Sequence, residues 1–120
     1  MLGVPEVTEQ QTQQAIRLQL SRGPVRLWRN NTGTLYDRQG RPVTFGLCKG
    51  SSDLIGFRTI TIGPEHLGQQ LAVFAAIEVK SATGRTTPEQ RSFVELVQGV
   101  GGMAGVARSV SDAAGILHLP

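Results

Sequence analysis

Cysteine is almost absent: Cys48 stands alone in 120 residues, which excludes an internal disulfide. The only histidines, His66 and His118, lie far apart with no ligand spacing around them, so no Cys/His zinc pattern can be assembled and neither is expected to bind metal. Cys48 is expected simply to pack. Long apolar runs are missing too, since none approaches the roughly 20 residues that span a bilayer. The opening "MLGVPEVTEQQTQQ" lacks a basic region followed by an apolar one. These absences predict a soluble, intracellular, cytoplasmic protein that is not secreted and has no membrane association. No repeat or low-complexity segment occurs. Nor is there a strong excess of one charge: 12 Lys plus Arg against 9 Asp plus Glu give +3. That balance permits an anionic partner, because most of the basic residues are arginines and a guanidinium grips phosphate through paired hydrogen bonds. The length suits one core, so a single domain over 1–120 is expected.

What is present reads as alternating helices and strands. From about Pro5 to Arg22, Ala15, Ile16, Leu18 and Leu20 lie among glutamines as a weakly amphipathic helix, closed by Gly23-Pro24. "PVRLWRN" reads as a short strand and "NTGTLYDRQGRPVTF" as a hairpin turning at Asp37 to Gly40. Arg26, Arg29, Arg38 and Arg41 decorate this region, as a solvated surface or a phosphate-contacting edge; the residues alone favour the first. In "FGLCKGSSDLIGF", Gly46 and Gly50 bracket a polar turn that carries Lys49 and Ser51 and brings Asp53 to the start of an apolar strand. A loop from Thr59 to Gln70 leads to a strand over Leu71 to Lys80. Thr87 as N-cap, Pro88 at the first position and Gln90 at the third then open a helix with Phe93, Val94, Leu96 and Val97 on its buried face. Gly99, Gly101 and Gly102 end that helix; "MAGVARSV" is a final strand, and Ser111 caps a last helix. Leu71 to Arg108 thus form a strand-helix-strand crossover, and the whole an α/β fold with a mixed β-sheet flanked by helices.

Glu78 and Lys80 end the apolar strand in "AVFAAIEVK". Residues two apart share a strand face, so the carboxylate and the ammonium point the same way. A same-face ion pair would explain these two residues alone, but not Asp53, which opens another apolar strand. If the two strands pair, Asp53 and Glu78 converge, and two carboxylates tolerate one another when a cation lies between them. Magnesium, which takes oxygen ligands, suits such a pair.

"FGLCKGSSDLIGF", "AAIEVKSATGRTTPEQRSF" and "GGMAGVARSVSDA" together resemble the virus-type replication-repair nuclease (VRR-NUC) family of the PD-(D/E)XK nuclease superfamily. The resemblance runs from the first helix to the last and implies a restriction-endonuclease-like core. It implies a Mg²⁺- or Mn²⁺-dependent deoxyribonuclease without an organic small-molecule cofactor, acting on branched DNA such as flaps or four-way junctions in replication, recombination or repair, as a homodimer. Carried over residue by residue, Asp53 and Glu78 would bind the cation with the backbone carbonyl of Val79. Lys80 would orient or help deprotonate the attacking water, and Gln90 would contact that water. Glu9, or Glu6 beside it, takes the place of a further acidic residue. Ser52 stands where the superfamily motif has its leading proline. Lys49, Ser51, Arg29, Arg41 and Arg85 are the candidates for contact with DNA. Three bland alternatives stay open: Gln90 as half of a capping box with Thr87, Lys49 as a turn residue, and Trp28 as core rather than a base-stacking platform. A DNA-binding module that keeps the nuclease fold without catalysis is the rival function; it predicts loss of Asp53, Glu78 or Lys80, all of which are present.

Overall fold

The computed structural model describes Gly3 and residues 5–120. Two compact units divide the chain, Met1–Ile60 and Thr61–Pro120. The first contains α1 (Glu9–Leu20), β1 (Val25–Arg29), β2 (Gly33–Tyr36), β3 (Pro42–Phe45) and β4 (Leu54–Arg58). The second contains a 3₁₀ turn (Pro64–His66), β5 (Ala75–Val79), α2 (Pro88–Gly99), β6 (Met103–Ala107) and α3 (Val110–Ile116). The fold is mixed α/β, as a restriction-endonuclease-like core requires, with its ladders in separate two-stranded pairs: β1 with β4 and β2 with β3 antiparallel, β5 with β6 parallel. No helix among the described residues is long and apolar enough to cross a membrane.

In the first unit, α1 begins later than the sequence pattern predicts. Thr8 caps it: its hydroxyl accepts from Gln11 N–H at 3.1 Å, and the Gln11 side chain accepts from Thr8 N–H at 3.0 Å. This reciprocal box satisfies amides that no earlier turn can serve, so the helix starts at Glu9, not near Pro5, and Glu6 precedes it. On the β1–β4 ladder, Arg26 lies opposite Phe57, and Trp28 meets Phe57 diagonally with ring centroids 5.7 Å apart and planes inclined by 54°. That tilted contact makes Trp28 a half-buried packing residue of the sheet face. Cys48 departs from expectation: it is exposed in the turn between Gly46 and Gly50.

In the second unit, the strand predicted over Leu71 to Lys80 is only Ala75–Val79. Its length is set by its partner. Met103 N–H donates to Phe74 O at 2.9 Å where β6 enters, and Lys80 N–H donates to Ala107 O at 3.0 Å where it leaves, so the five residues of β6 define the ladder. Gly102 permits that entry, because a β-carbon there would lie 2.5 Å from Val97 Cγ1 and 2.9 Å from Phe74 O. Val97 of α2 is fully buried and Ala107 of β6 is buried, and α2 and α3 both pack on β6. Of the face expected to be buried, Val94 and Leu96 are half-buried and Phe93 is partly exposed. The cap of α3 is Ser109, whose hydroxyl accepts from Asp112 N–H at 3.0 Å, and not Ser111. β6 runs directly into that cap, which starts the helix two residues earlier than expected.

The β2–β3 hairpin closes on Asp37. Arg41 N–H and Gln39 N–H both donate to Asp37 Oδ1 at 2.9 Å, and Arg41 Nε pairs with Oδ2 at 2.7 Å. The Arg41 amide, then its guanidinium and the Gln39 amide, hold the Asp37 carboxyl below the usual aspartate value of 3.8, against partial desolvation. Because the folded value is lowered, the stabilisation is complete above 3.8 and is lost as pH falls through the lower folded value. NMR titration should find the Asp37 carboxyl titrating below 3.8, and Arg41→Ala, which removes the guanidinium but keeps the backbone amide, should move it only part of the way back up.

Candidate active site

The residues of interest divide between the two units. Asp53 directly precedes β4, and its carbonyl accepts from Asn30 N–H at 2.8 Å where β1 ends. Its carboxylate is exposed and makes no hydrogen bond or ion pair among the described residues. The loop that delivers it is organised by a side chain that the sequence reading missed. Asn30 Oδ1 accepts from Leu47 N–H at 2.9 Å, while Nδ2 donates to Ser51 Oγ at 2.7 Å and to Ser52 O at 2.9 Å. One amide therefore pins both ends of residues 47–52. Gly46 makes the approach possible: at φ +83° it turns the chain where a β-carbon would strike the Asn31 carbonyl and Thr32. The only signal for this role in the sequence is an Asn-Asn pair at a strand end, which is not distinctive.

The candidates for DNA contact in this unit have different degrees of freedom. Ser51 Oγ donates to Cys48 O at 2.6 Å and accepts from Asn30, so its single proton is committed to the loop. Arg41 is held by Asp37. Lys49 is exposed at the loop tip, and Arg29 is exposed at the end of β1 opposite Leu54, the neighbour of Asp53; neither has a polar partner among the described residues. Glu9 is exposed in the first turn of α1, where the helix dipole favours an anion.

Glu78 and Lys80 come together in the second unit. Lys80 Nζ lies 3.2 Å from Glu78 Oε1, with side-chain exposures of 19% and 28%. The ladder explains the contact: strand alternation puts both side chains on one face, and the Lys80 N–H···Ala107 bond keeps Lys80 in strand geometry past the end of β5. Shielding from water strengthens the attraction and also raises the cost of burying each charge, so such a pair is weakly explained by stability alone. Val79 lies between them and is itself 73% exposed.

Beside this pair, Ala76, Ile77, Glu78, Glu89, Gln90, Phe93 and Val94 line a groove of about 410 Å³ between β5 and α2. Gln90 reaches it while completing the capping box: its Oε1 accepts from Thr87 N–H at 2.9 Å, and its N–H donates to Thr87 Oγ1 at 3.1 Å. Since an amide N–H needs an acceptor, the Gln90 oxygen must face Thr87, and the NH₂ group is left for another partner. Glu89 is a second carboxylate on the groove that the sequence reading passed over as a helix-start residue.

A divalent cation can be tested against this donor set. Carboxylate, amide and backbone carbonyl oxygens are hard ligands that suit Mg²⁺ or Mn²⁺ over softer metals. Glu78 supplies such oxygens, and Val79 a carbonyl next to it. Among the described residues no group of three or more His, Cys, Asp or Glu side chains is placed to hold a metal ion.

Removing the Asn30 amide strands the Leu47 N–H and frees the loop before Asp53. Asn30→Ala should destabilise the protein by roughly 1.5 to 4.5 kcal/mol in chemical denaturation, since each of its three bonds contributes about 0.5–1.5 kcal/mol. Asn30→Asp keeps the acceptor for Leu47 but sets a carboxylate oxygen against the Ser52 carbonyl and the acceptor side of Ser51 Oγ, so it should be at least as destabilising as Asn30→Ala.

Comparison with known proteins returned no match among curated proteins and none among solved structures. A family model for the VRR-NUC domain does match, over residues 7–111, and so takes in Asp53, the Glu78–Lys80 pair, Gln90 and the β5–α2–β6 crossover together. A match over most of the chain identifies a nuclease-family, DNA-processing domain: this protein belongs to the VRR-NUC family.

Proposed function

We propose that the protein is a divalent-metal-dependent DNA endonuclease, with the two units acting as one nuclease domain over 1–120. The observation that carries this reading is the shielded Glu78–Lys80 pair at the end of a parallel ladder, in a chain of a nuclease family. Asp53 and Glu78 are the carboxylates that would hold Mg²⁺ or Mn²⁺, with the Val79 carbonyl and, from α1, Glu9 or Glu6. When bound, the ion supplies a sharpened water nucleophile and a sink for the charge that builds on phosphate oxygens.

The chain's own residues do the rest. Hydrolysis forms one P–O bond from water and breaks another to the leaving oxygen, so negative charge grows where Lys80 can meet it. Lys80 orients that water and offsets the charge. Gln90, its oxygen occupied by the cap, donates from Nε2 to the water or to a phosphate oxygen. Lys49, Arg29, Arg85, Arg41 and Ser51 are the candidates for gripping the backbone. The substrates that the family resemblance implies are branched, such as flaps and four-way junctions, and a homodimer would present paired sites to a junction.

Cleavage of labelled duplex, flap and four-way-junction DNA with Mg²⁺, with Mn²⁺ and with chelator tests this directly. Metal-dependent cutting should appear, and Asp53→Ala and Glu78→Ala should each lower it by roughly 10²- to 10³-fold or more; Asp53→Ala should leave the melting temperature near that of wild type, whereas Glu78→Ala, which strands the shielded Lys80 ammonium, should lower it while the protein still folds. Wild-type rates in either variant would refute the assignment, and tight binding without cutting in any metal would favour the non-catalytic module.

Gln90 separates capping from chemistry. Gln90→Glu keeps the acceptor that Thr87 needs and loses the NH₂ donor, so it should hold stability and lose activity. Thr87→Ala should cost about 1 kcal/mol of stability, the typical value of an N-cap, with a smaller effect on the chemical step.

A further inference from the structure

The turn between Lys80 and α2 is braced by two arginines from opposite sides. Arg108, the first residue past β6, donates from Nη1 to Ser81 O and to Gly84 O, the latter at 2.8 Å. Its own backbone is fixed in turn: Arg108 N–H donates to Asp112 Oδ2 at 2.9 Å, and Asp112 N–H to the Ser109 cap at 3.0 Å. From α2, Arg91 donates from Nη1 to Thr86 O at 2.9 Å and Thr86 Oγ1 at 3.3 Å. Gly84 N–H closes the turn on Ser81 Oγ at 3.0 Å. Between the two braced segments stands Arg85, exposed and without a hydrogen bond or ion pair among the described residues.

This arrangement is costly if it serves only to shape a turn. Freezing an arginine side chain sacrifices much of its rotamer entropy, and glycine or asparagine shapes turns without that loss. Two guanidinium groups bonded to the turn and a third arginine within it concentrate positive charge there, which an arriving anion offsets. Resting on the nuclease reading above, we propose that Arg91 and Arg108 are positioning residues that hold the Ser81–Thr86 turn so that Arg85 meets a DNA phosphate beside the Glu78–Lys80 pair. The two braces fix the backbone on both sides of Arg85 and leave its whole five-donor fork free for the phosphate.

A double-mutant cycle tests it. Affinity for fluorescein-labelled duplex DNA is measured by anisotropy across a salt series, with chelator present so that nothing is cut, for wild type, Arg85→Ala, Arg108→Ala, Arg91→Ala and the doubles with Arg85→Ala. Arg85→Ala should weaken binding and lower the log–log salt slope by about 1, the change for one lost phosphate contact. Arg108→Ala and Arg91→Ala should each weaken binding several-fold in the wild-type background and scarcely at all once Arg85 is gone, because each acts through it. Additive losses would overturn the proposal, as would an unchanged slope in Arg85→Ala or a wild-type protein that does not bind DNA. Melting curves verify folding; should Arg108→Ala unfold, the Arg85–Arg91 cycle decides by the same criterion. A protein that shows the coupling yet cuts nothing with Mg²⁺ or Mn²⁺ refutes the nuclease reading and leaves the brace standing.

Discussion

The parallel pairing of β5 with β6 is the constraint on which the second unit depends. Parallel strands need a crossover, and α2 supplies it, so the N-terminus of α2 returns to the chain just past the end of β5. One ladder thereby sets four things: where β5 stops, that Glu78 and Lys80 share a face, that the Gln90 capping box borders the same groove as Glu78, and that Arg108 emerges next to the turn after Lys80. Charged residues at the end of a strand tend to be flexible and solvated. Here the ladder bond from Lys80 N–H to Ala107 O holds the pair in strand geometry one residue beyond the sheet.

Polar side chains, more than apolar burial, define the segments around the candidate site. Asn30 holds the loop before Asp53 with three side-chain bonds, Asp37 closes its hairpin with three, and Arg91 and Arg108 hold the turn before α2. Each of these groups satisfies backbone amides or carbonyls that loops cannot pair among themselves. That economy matters where loops carry function, because a loop with few apolar contacts keeps one conformation only if its hydrogen bonds are complete.

Much of this was legible in the sequence, for identifiable reasons. Thr87, Pro88 and Gln90 announce a helix start by chemistry that acts within three residues, and the structure has that cap. The Asp37–Gly40 turn and the β5–α2–β6 order follow from equally local signals. Glu78 and Lys80 meet because strand alternation is invariant. Where the sequence misled, the deciding partner was distant: β5 is shorter than its apolar run because β6 contributes only five residues, and Cys48 is exposed because Asn30 organises its loop from another strand. Ser109 was passed over because Ser111 and Asp112 beside it are equally able to cap, and only the path of the preceding chain selects among them; Thr8 was passed over because the helix pattern runs back past it towards Pro5.

Gln90 illustrates why structural and functional roles need not compete. A capping box consumes the oxygen of its Gln and ignores the nitrogen, so a residue recruited for helix stability arrives at the groove with its donor already oriented. The cap stiffens the side chain, which lowers the entropy lost when that donor binds a partner. Arg91 and Arg108 obey the same logic at one remove, since each commits a single nitrogen to the turn and keeps its full charge. A turn shaped by cations rather than by glycine alone carries its positive field with it, and that field points to the partner a nuclease must hold.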